Sequence, residues 1–72
     1  MMDSIIDNYG RNAGKIWEAL DTHGPLTQTK LMKTTGLNEE EFYVAIGWLA
    51  KEGKITAKKV MPRKTQIRFR LK

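Results

Sequence analysis

Hydrophobic positions along the first third of the chain recur with the period of an α-helix. They are spaced three and four residues apart, at Met2, Ile5, Ile6, Tyr9, Ala13, Ile16, Trp17 and Leu20. Such spacing places the side chains on one side of a helix. Asp3 or Ser4 is a suitable N-cap, and Gly24-Pro25 ends the pattern because glycine closes helices and proline cannot continue them. A first helix is therefore predicted over residues 3–22, approximately.

Two further helices are predicted from their start and stop signals. Thr27 is a suitable N-cap for a short helix over residues 27–35, which Gly36 ends. Asn38, with Glu41 three residues later, forms a variant of the capping box and starts a third helix over residues 38–52. The buried side of the third helix is predicted to carry Phe42, Ala45, Ile46 and Leu49.

After Gly53 the hydrophobic period changes from three and four residues to two. Ile67, Phe69 and Leu71 alternate with polar and basic residues, which is typical of a strand with one buried face. Two strands are predicted, over residues 54–60 and 65–71, joined by the turn Met61-Pro62-Arg63-Lys64. Proline fits the first central position of such a turn.

The order of these elements predicts the fold. Three helices, with a short connection between the second and third, followed by a two-stranded hairpin, make up a winged helix-turn-helix domain. We expect one domain over residues 1–72, mainly α with a small β-hairpin.

Particular motifs also resemble a known family. Ala13-Gly14-Lys15-Ile16-Trp17, then Gly36-Leu37, then Ala45-Ile46-Gly47-Trp48-Leu49-Ala50 resemble small standalone winged helix-turn-helix proteins of unknown function from bacteria and archaea. The resemblance covers about residues 9–60. It implies the winged-helix fold, DNA binding and a homodimer, and it supplies no catalytic residue and no ligand.

The amino-acid composition excludes several classes of protein. The 72 residues include no cysteine and one histidine, which excludes a disulfide framework and a zinc site built on Cys and His pairs. A small domain buries only about 60% of its unfolded surface, so a second subunit is the remaining source of stability and we expect a homodimer. No run approaches the ~20 apolar residues of a membrane span, and Met1–Ser4 lacks the features of a secretory signal. We expect a cytoplasmic protein without cofactor, metal, membrane contact or evident small-molecule substrate.

Charge is divided unequally along the chain. Residues 1–50 hold four basic and seven acidic groups, a net charge of −3, whereas residues 51–72 hold nine basic groups and one acidic group, a net charge of +8. A basic end of this kind is typical of binding to nucleic acid. The candidate contacts are Lys51, Lys58, Lys59, Arg63, Lys64, Arg68 and Arg70.

None of the candidate catalytic patterns in the sequence fits a catalytic site, and no enzyme is predicted. His23 lies in a helix stop, where a histidine more often interacts with the helix dipole. Glu39, Glu40 and Glu41 are consecutive, so on a helix they diverge by about 100° each and cannot converge on one ion. Gly10-x3-Gly14-Lys15 lies inside a helical pattern and lacks the spacing of a phosphate-binding loop.

The third helix leaves two interpretations open. The same three glutamates occupy the turn that would meet base edges in DNA, although carboxylates repel phosphates. Aromatic, aliphatic and small residues beyond its core stripe suit a protein interface instead: Tyr43, Val44, Gly47 and Trp48, with Trp17 of the first helix beside Gly10 and Gly14. The leading hypothesis is a DNA-binding protein with a basic wing, and transcriptional regulation is the role considered for it. The alternative is a protein-interaction or homodimerisation module without sequence-specific DNA binding, and RNA binding ranks third.

Overall fold

A computed structural model describes residues 2–59 and 67–72 of the chain. In this part the helices are α1 (Met2–His23), α2 (Gln28–Thr35) and α3 (Glu39–Lys51). The strands are β1 (Leu26–Thr27), β2 (Ile55–Lys59) and β3 (Ile67–Leu71). The predicted fold class, three helices followed by a β wing, is confirmed. The predicted turn over Met61 to Lys64 lies outside the described residues.

Helix ends follow the local chemistry of the sequence, with one exception. Thr27 caps α2 by accepting a hydrogen bond from the Lys30 amide at 3.3 Å. At α3, Asn38 Oδ1 accepts from the Glu41 amide at 2.8 Å, and Glu41 Oε1 accepts from the Asn38 amide at 3.0 Å, which completes the capping box. The exception is α1, because the helix begins at Met2 and therefore includes Asp3 and Ser4 within its first turn.

The sheet contains a strand that the sequence pattern did not indicate. β1 is only two residues long and pairs antiparallel with β3, with Leu26 opposite Phe69 and Thr27 opposite Arg68. The strand order is therefore β1-β3-β2, so β3 is the central strand. Because a two-residue strand has no hydrophobic alternation to detect, only tertiary pairing reveals it.

The core lies where all three helices meet the inner face of the sheet. Phe42, Ile16 and Leu31 are the largest fully buried side chains among the described residues. The ring of Phe42 meets that of Phe69 edge-on, with centroids 5.6 Å apart, an arrangement that aromatic pairs favour. Helix α3 is thereby fixed against β3.

The apolar stripe of α1 extends beyond this core. Ala13, Ile16 and Leu20 are buried, whereas Ile5, Ile6 and Tyr9 are 51%, 47% and 38% exposed. The first half of the stripe thus faces solvent although its spacing is that of a core face. No helix in the described ranges is long and apolar enough to cross a membrane.

Candidate nucleic-acid interface

The outer face of the sheet is lined with cations because the strands alternate in burial. On β3, Phe69 is buried between Arg68 and Arg70, which are both exposed. On β2, Lys58 lies opposite Arg68, and Thr56 lies opposite Arg70. Since side chains on paired strands share a face at matching positions, Lys58, Arg68 and Arg70 lie together on the side that points away from the core.

The same face continues beyond the formal ends of the strands. The amide of Lys72 donates a hydrogen bond to the carbonyl oxygen of Lys54 at 3.0 Å, and both side chains are exposed. By the alternation of the strands, Lys54 and Lys72 belong to the outer face as well. We call this set the basic sheet face: Lys54, Thr56, Lys58, Arg68, Arg70 and Lys72. Lys54 and Lys72 were not among the contacts predicted from the sequence. Their even residue numbers nevertheless place them in the same alternation as Lys58, Arg68 and Arg70.

Few opposite charges balance this face. Among the described residues, one ion pair lies within 4 Å, from Lys54 Nζ to Glu52 Oε1 at 3.6 Å, with both side chains about half exposed. Such an exposed pair contributes little to stability. Lys58 directly opposes Arg68, and like charges in that position cost about 0.2–1 kcal/mol. The face therefore carries a positive electrostatic potential, which an anionic partner would neutralise.

The other predicted contacts do not all join this face. Lys51 is exposed in the last turn of α3, on a different element from the basic sheet face. Lys59 ends β2, but its side chain lies outside the described part of the chain. Arg63 and Lys64 fall within residues 60–66 and are also outside it.

Helix α3 presents few groups that could contact DNA. Glu39 and Glu40 are exposed in its first turn, and Glu41 is engaged in the capping box. The helix contains no Arg, Asn, Gln, Ser or Thr between residues 39 and 51. These are the side chains, with lysine, that most often read base edges, so α3 offers mainly Tyr43 and Lys51.

Tyr43 is held on the flank of α3 that faces α2. The Gln28 side chain donates from Nε2 to the Tyr43 hydroxyl oxygen at 3.2 Å, and the hydroxyl lies 3.4 Å from Gln28 Oε1. The ring also meets Phe42 edge-on, at 5.6 Å between centroids. Tyr43 is 55% exposed but is oriented by these contacts.

Trp48 lies on the opposite flank, against α1. A Cβ atom added to Gly10 would lie 3.7 Å from Trp48 Cζ2, so the indole ring approaches this glycine closely. Trp48 and Trp17 line one groove of about 290 Å³ together with Gly10 and Gly14. The structure thus unites Trp17 and Trp48 and separates them from Tyr43, while Val44 is half-buried and Gly47 is exposed.

Residues considered for catalysis remain on the surface. His23 is exposed and lines a shallow groove with Lys15, Glu18 and Thr22 between α1 and α2. Within residues 2–59 and 67–72, no three His, Cys, Asp or Glu residues are grouped so that they could hold a metal ion.

Comparisons with known proteins find the same fold in a family model and in a solved structure. The family model described as winged helix-turn-helix domain (DUF2582) matches residues 1–67. The solution NMR structure of protein BT2368 from Bacteroides thetaiotaomicron is similar, with a TM-score of 0.76 and 29% sequence identity over 90% of this chain and 76% of that one. No curated protein matches the chain.

Proposed function

Because the chain belongs to the winged helix-turn-helix family DUF2582, we propose that it is a non-catalytic cytoplasmic protein that binds duplex DNA. Winged-helix domains are commonly binding modules for DNA. A role in transcriptional regulation is one use of such binding.

The observation that carries this proposal is the basic sheet face. Five of its six residues are basic, and Glu52 at its edge is its one carboxylate contact within 4 Å among the described residues. A surface of this kind attracts polyanions over several ångströms and gains free energy by releasing counterions from DNA. Phosphate groups are therefore the partners that this surface fits best.

A salt titration tests the proposal directly. A fluorescently labelled duplex of ~20 base pairs is titrated with the wild-type protein between 50 and 200 mM salt, and anisotropy reports the fraction bound. We expect log K to fall linearly with log salt, by about 0.9 per phosphate contact. An absence of binding at 50 mM salt would contradict the proposal.

Assembly into a homodimer is the second candidate function, and a separate observation favours it. Ile5, Ile6, Tyr9 and Trp17 are each between 38% and 51% exposed, and Trp17 also lines the groove beside Trp48. Exposed apolar side chains on one side of a helix are a feature of protein interfaces. A two-fold contact would use each of these side chains twice, once from each copy. It would supply stability that a chain with no cysteine cannot obtain from disulfides.

A further inference from the structure

The geometry points to the mode of DNA binding, and this inference rests on the proposed function. We infer that duplex DNA is held on the basic sheet face by its phosphate backbone, without readout of base sequence. Helix α3, which enters the major groove in many winged-helix proteins, then serves to support the sheet.

The cations of the basic sheet face are regularly arranged. Arg68, Arg70 and Lys72 succeed one another at every second position of β3 and its extension, a spacing of about 6.8 Å. Lys58 lies beside Arg68 on the neighbouring strand, about 4.8 Å away between backbones. The result is a row of positive groups with a second row beside it, which suits a chain of phosphates.

The same side chains are available for contact with phosphates. All five cations are exposed, and among the described residues only Lys54 has a carboxylate within 4 Å. The inner face of the same strands is fixed by burial of Ile55 and Phe69. The backbone that carries the cations is therefore anchored while their charged ends remain in solvent.

Helix α3 lacks the groups that would read base edges. Its exposed residues include Glu39 and Glu40, which would be repelled by phosphates, and Gly47 and Ala50, which offer no side-chain hydrogen bond. The Tyr43 hydroxyl is already paired with Gln28. Base discrimination needs bidentate donors or acceptors in the groove, and α3 does not supply a set of them.

Two charge-matched double variants test the assignment. Arg68→Gln with Arg70→Gln removes two cations from the basic sheet face. Arg11→Gln with Lys15→Gln removes two exposed cations from α1, so both proteins change from a net charge of +5 to +3. A third variant, Lys51→Gln, tests α3. Circular dichroism melts establish that each variant is folded before its binding is measured.

We expect the sheet variant to bind the duplex at least ~10-fold more weakly at 50 mM salt and to lower the salt slope by about 1.8, which corresponds to two lost phosphate contacts. The α1 variant and Lys51→Gln should each stay within about threefold of wild type, since neither changes the basic sheet face. Duplexes of shuffled sequence or different GC content should bind with equal affinity, within about threefold.

Several results would overturn the inference while leaving DNA binding intact. One is a Lys51→Gln loss as large as that of the sheet variant, and another is equal weakening by both double variants. A preference of more than ~100-fold for one duplex sequence would show base readout. Tighter binding to single-stranded DNA or to RNA than to the duplex would assign the face to a different nucleic acid. Failure of the wild-type protein to bind any duplex would instead remove the proposed function itself.

Discussion

Individual side chains make a large contribution to the packing of this small core. Phe42 is fully buried and touches both Tyr43 and Phe69 ring to ring, so it joins α3 to the central strand. Leu49 is 4% exposed on the same side of α3. Removing either side chain leaves a cavity that the few surrounding residues cannot fill.

We expect Phe42→Ala and Leu49→Ala each to lower the free energy of unfolding by about 2–5 kcal/mol. Because a domain of this size has a total stability of roughly 5 kcal/mol, both variants should be largely unfolded. Urea titration followed by circular dichroism measures the change, with Tyr43→Phe as the control that keeps the exposed ring. Cooperative melting of the alanine variants within a few degrees of wild type would contradict the assigned packing.

Gly14 is a position where a substitution should raise the stability of the protein. It lies in the interior of α1, and a Cβ added there would meet nothing within 4 Å. Gly14→Ala should therefore stabilise the isolated chain by about 0.5–1 kcal/mol, measured as an increase in Tm. If the same substitution weakens self-association at micromolar concentration, the glycine also provides close access for a second copy.

Helix α1 combines two different environments in one continuous helix. Its second half is covered by α3, α2 and β3 through Ala13, Ile16 and Leu20, whereas its first half exposes Ile5 and Ile6. Periodicity alone predicted the whole stripe, because the spacing of apolar residues is the same in both halves. The sequence pattern does not show where along α1 the covering elements end, because that depends on the tertiary structure.

Hydrogen exchange should separate the two halves of α1. In dilute protein, the amides of residues 5–9 should exchange at least about tenfold faster than those of residues 16–20, since local stability follows burial. The rates are read by NMR at two protein concentrations. Slower exchange of the first half at high concentration would show that a second copy covers it, and equal protection at low concentration would contradict the prediction.

The wing shows what sequence reasoning could and could not supply. Alternation of Phe69 with Arg68 and Arg70 predicted a basic outer face, and the cap residues Thr27 and Asn38 fixed the starts of two helices. The pairing of Lys54 with Lys72 depends on the register between strands, which neither strand specifies alone. The separation of Tyr43 from Trp48, in contrast, follows from α3 itself, because five residues at about 100° each place the two side chains about 140° apart around the helix.

The groove between α1 and α3 is the place where we expect two copies of the molecule to associate. Trp17 and Trp48 share it and both remain partly exposed. We expect the wild-type protein to sediment as a dimer at micromolar concentration and Trp48→Ala to sediment as a monomer, since a buried tryptophan at an interface is worth ~2 kcal/mol or more.

Tyr43→Ala is the matched control for this experiment, because Tyr43 is an aromatic residue on the other flank of the same helix. It should leave the dimer intact. Helical circular dichroism should be largely retained in both variants. A wild-type protein that stays at 8.3 kDa at high concentration would rule out the homodimer and leave the exposed apolar residues for a different protein.

The order of the strands has a consequence for solubility. In the sheet β1-β3-β2, the outer strands are the places where a foreign strand could add and start aggregation. β1 is too short, at two residues, to template such growth, and β2 carries Lys58 beside Arg68, so that two copies approaching edge to edge repel each other. A polyanion neutralising these charges would remove that repulsion, so turbidity at half-saturating DNA should exceed that of the protein alone and subside when the duplex is in excess.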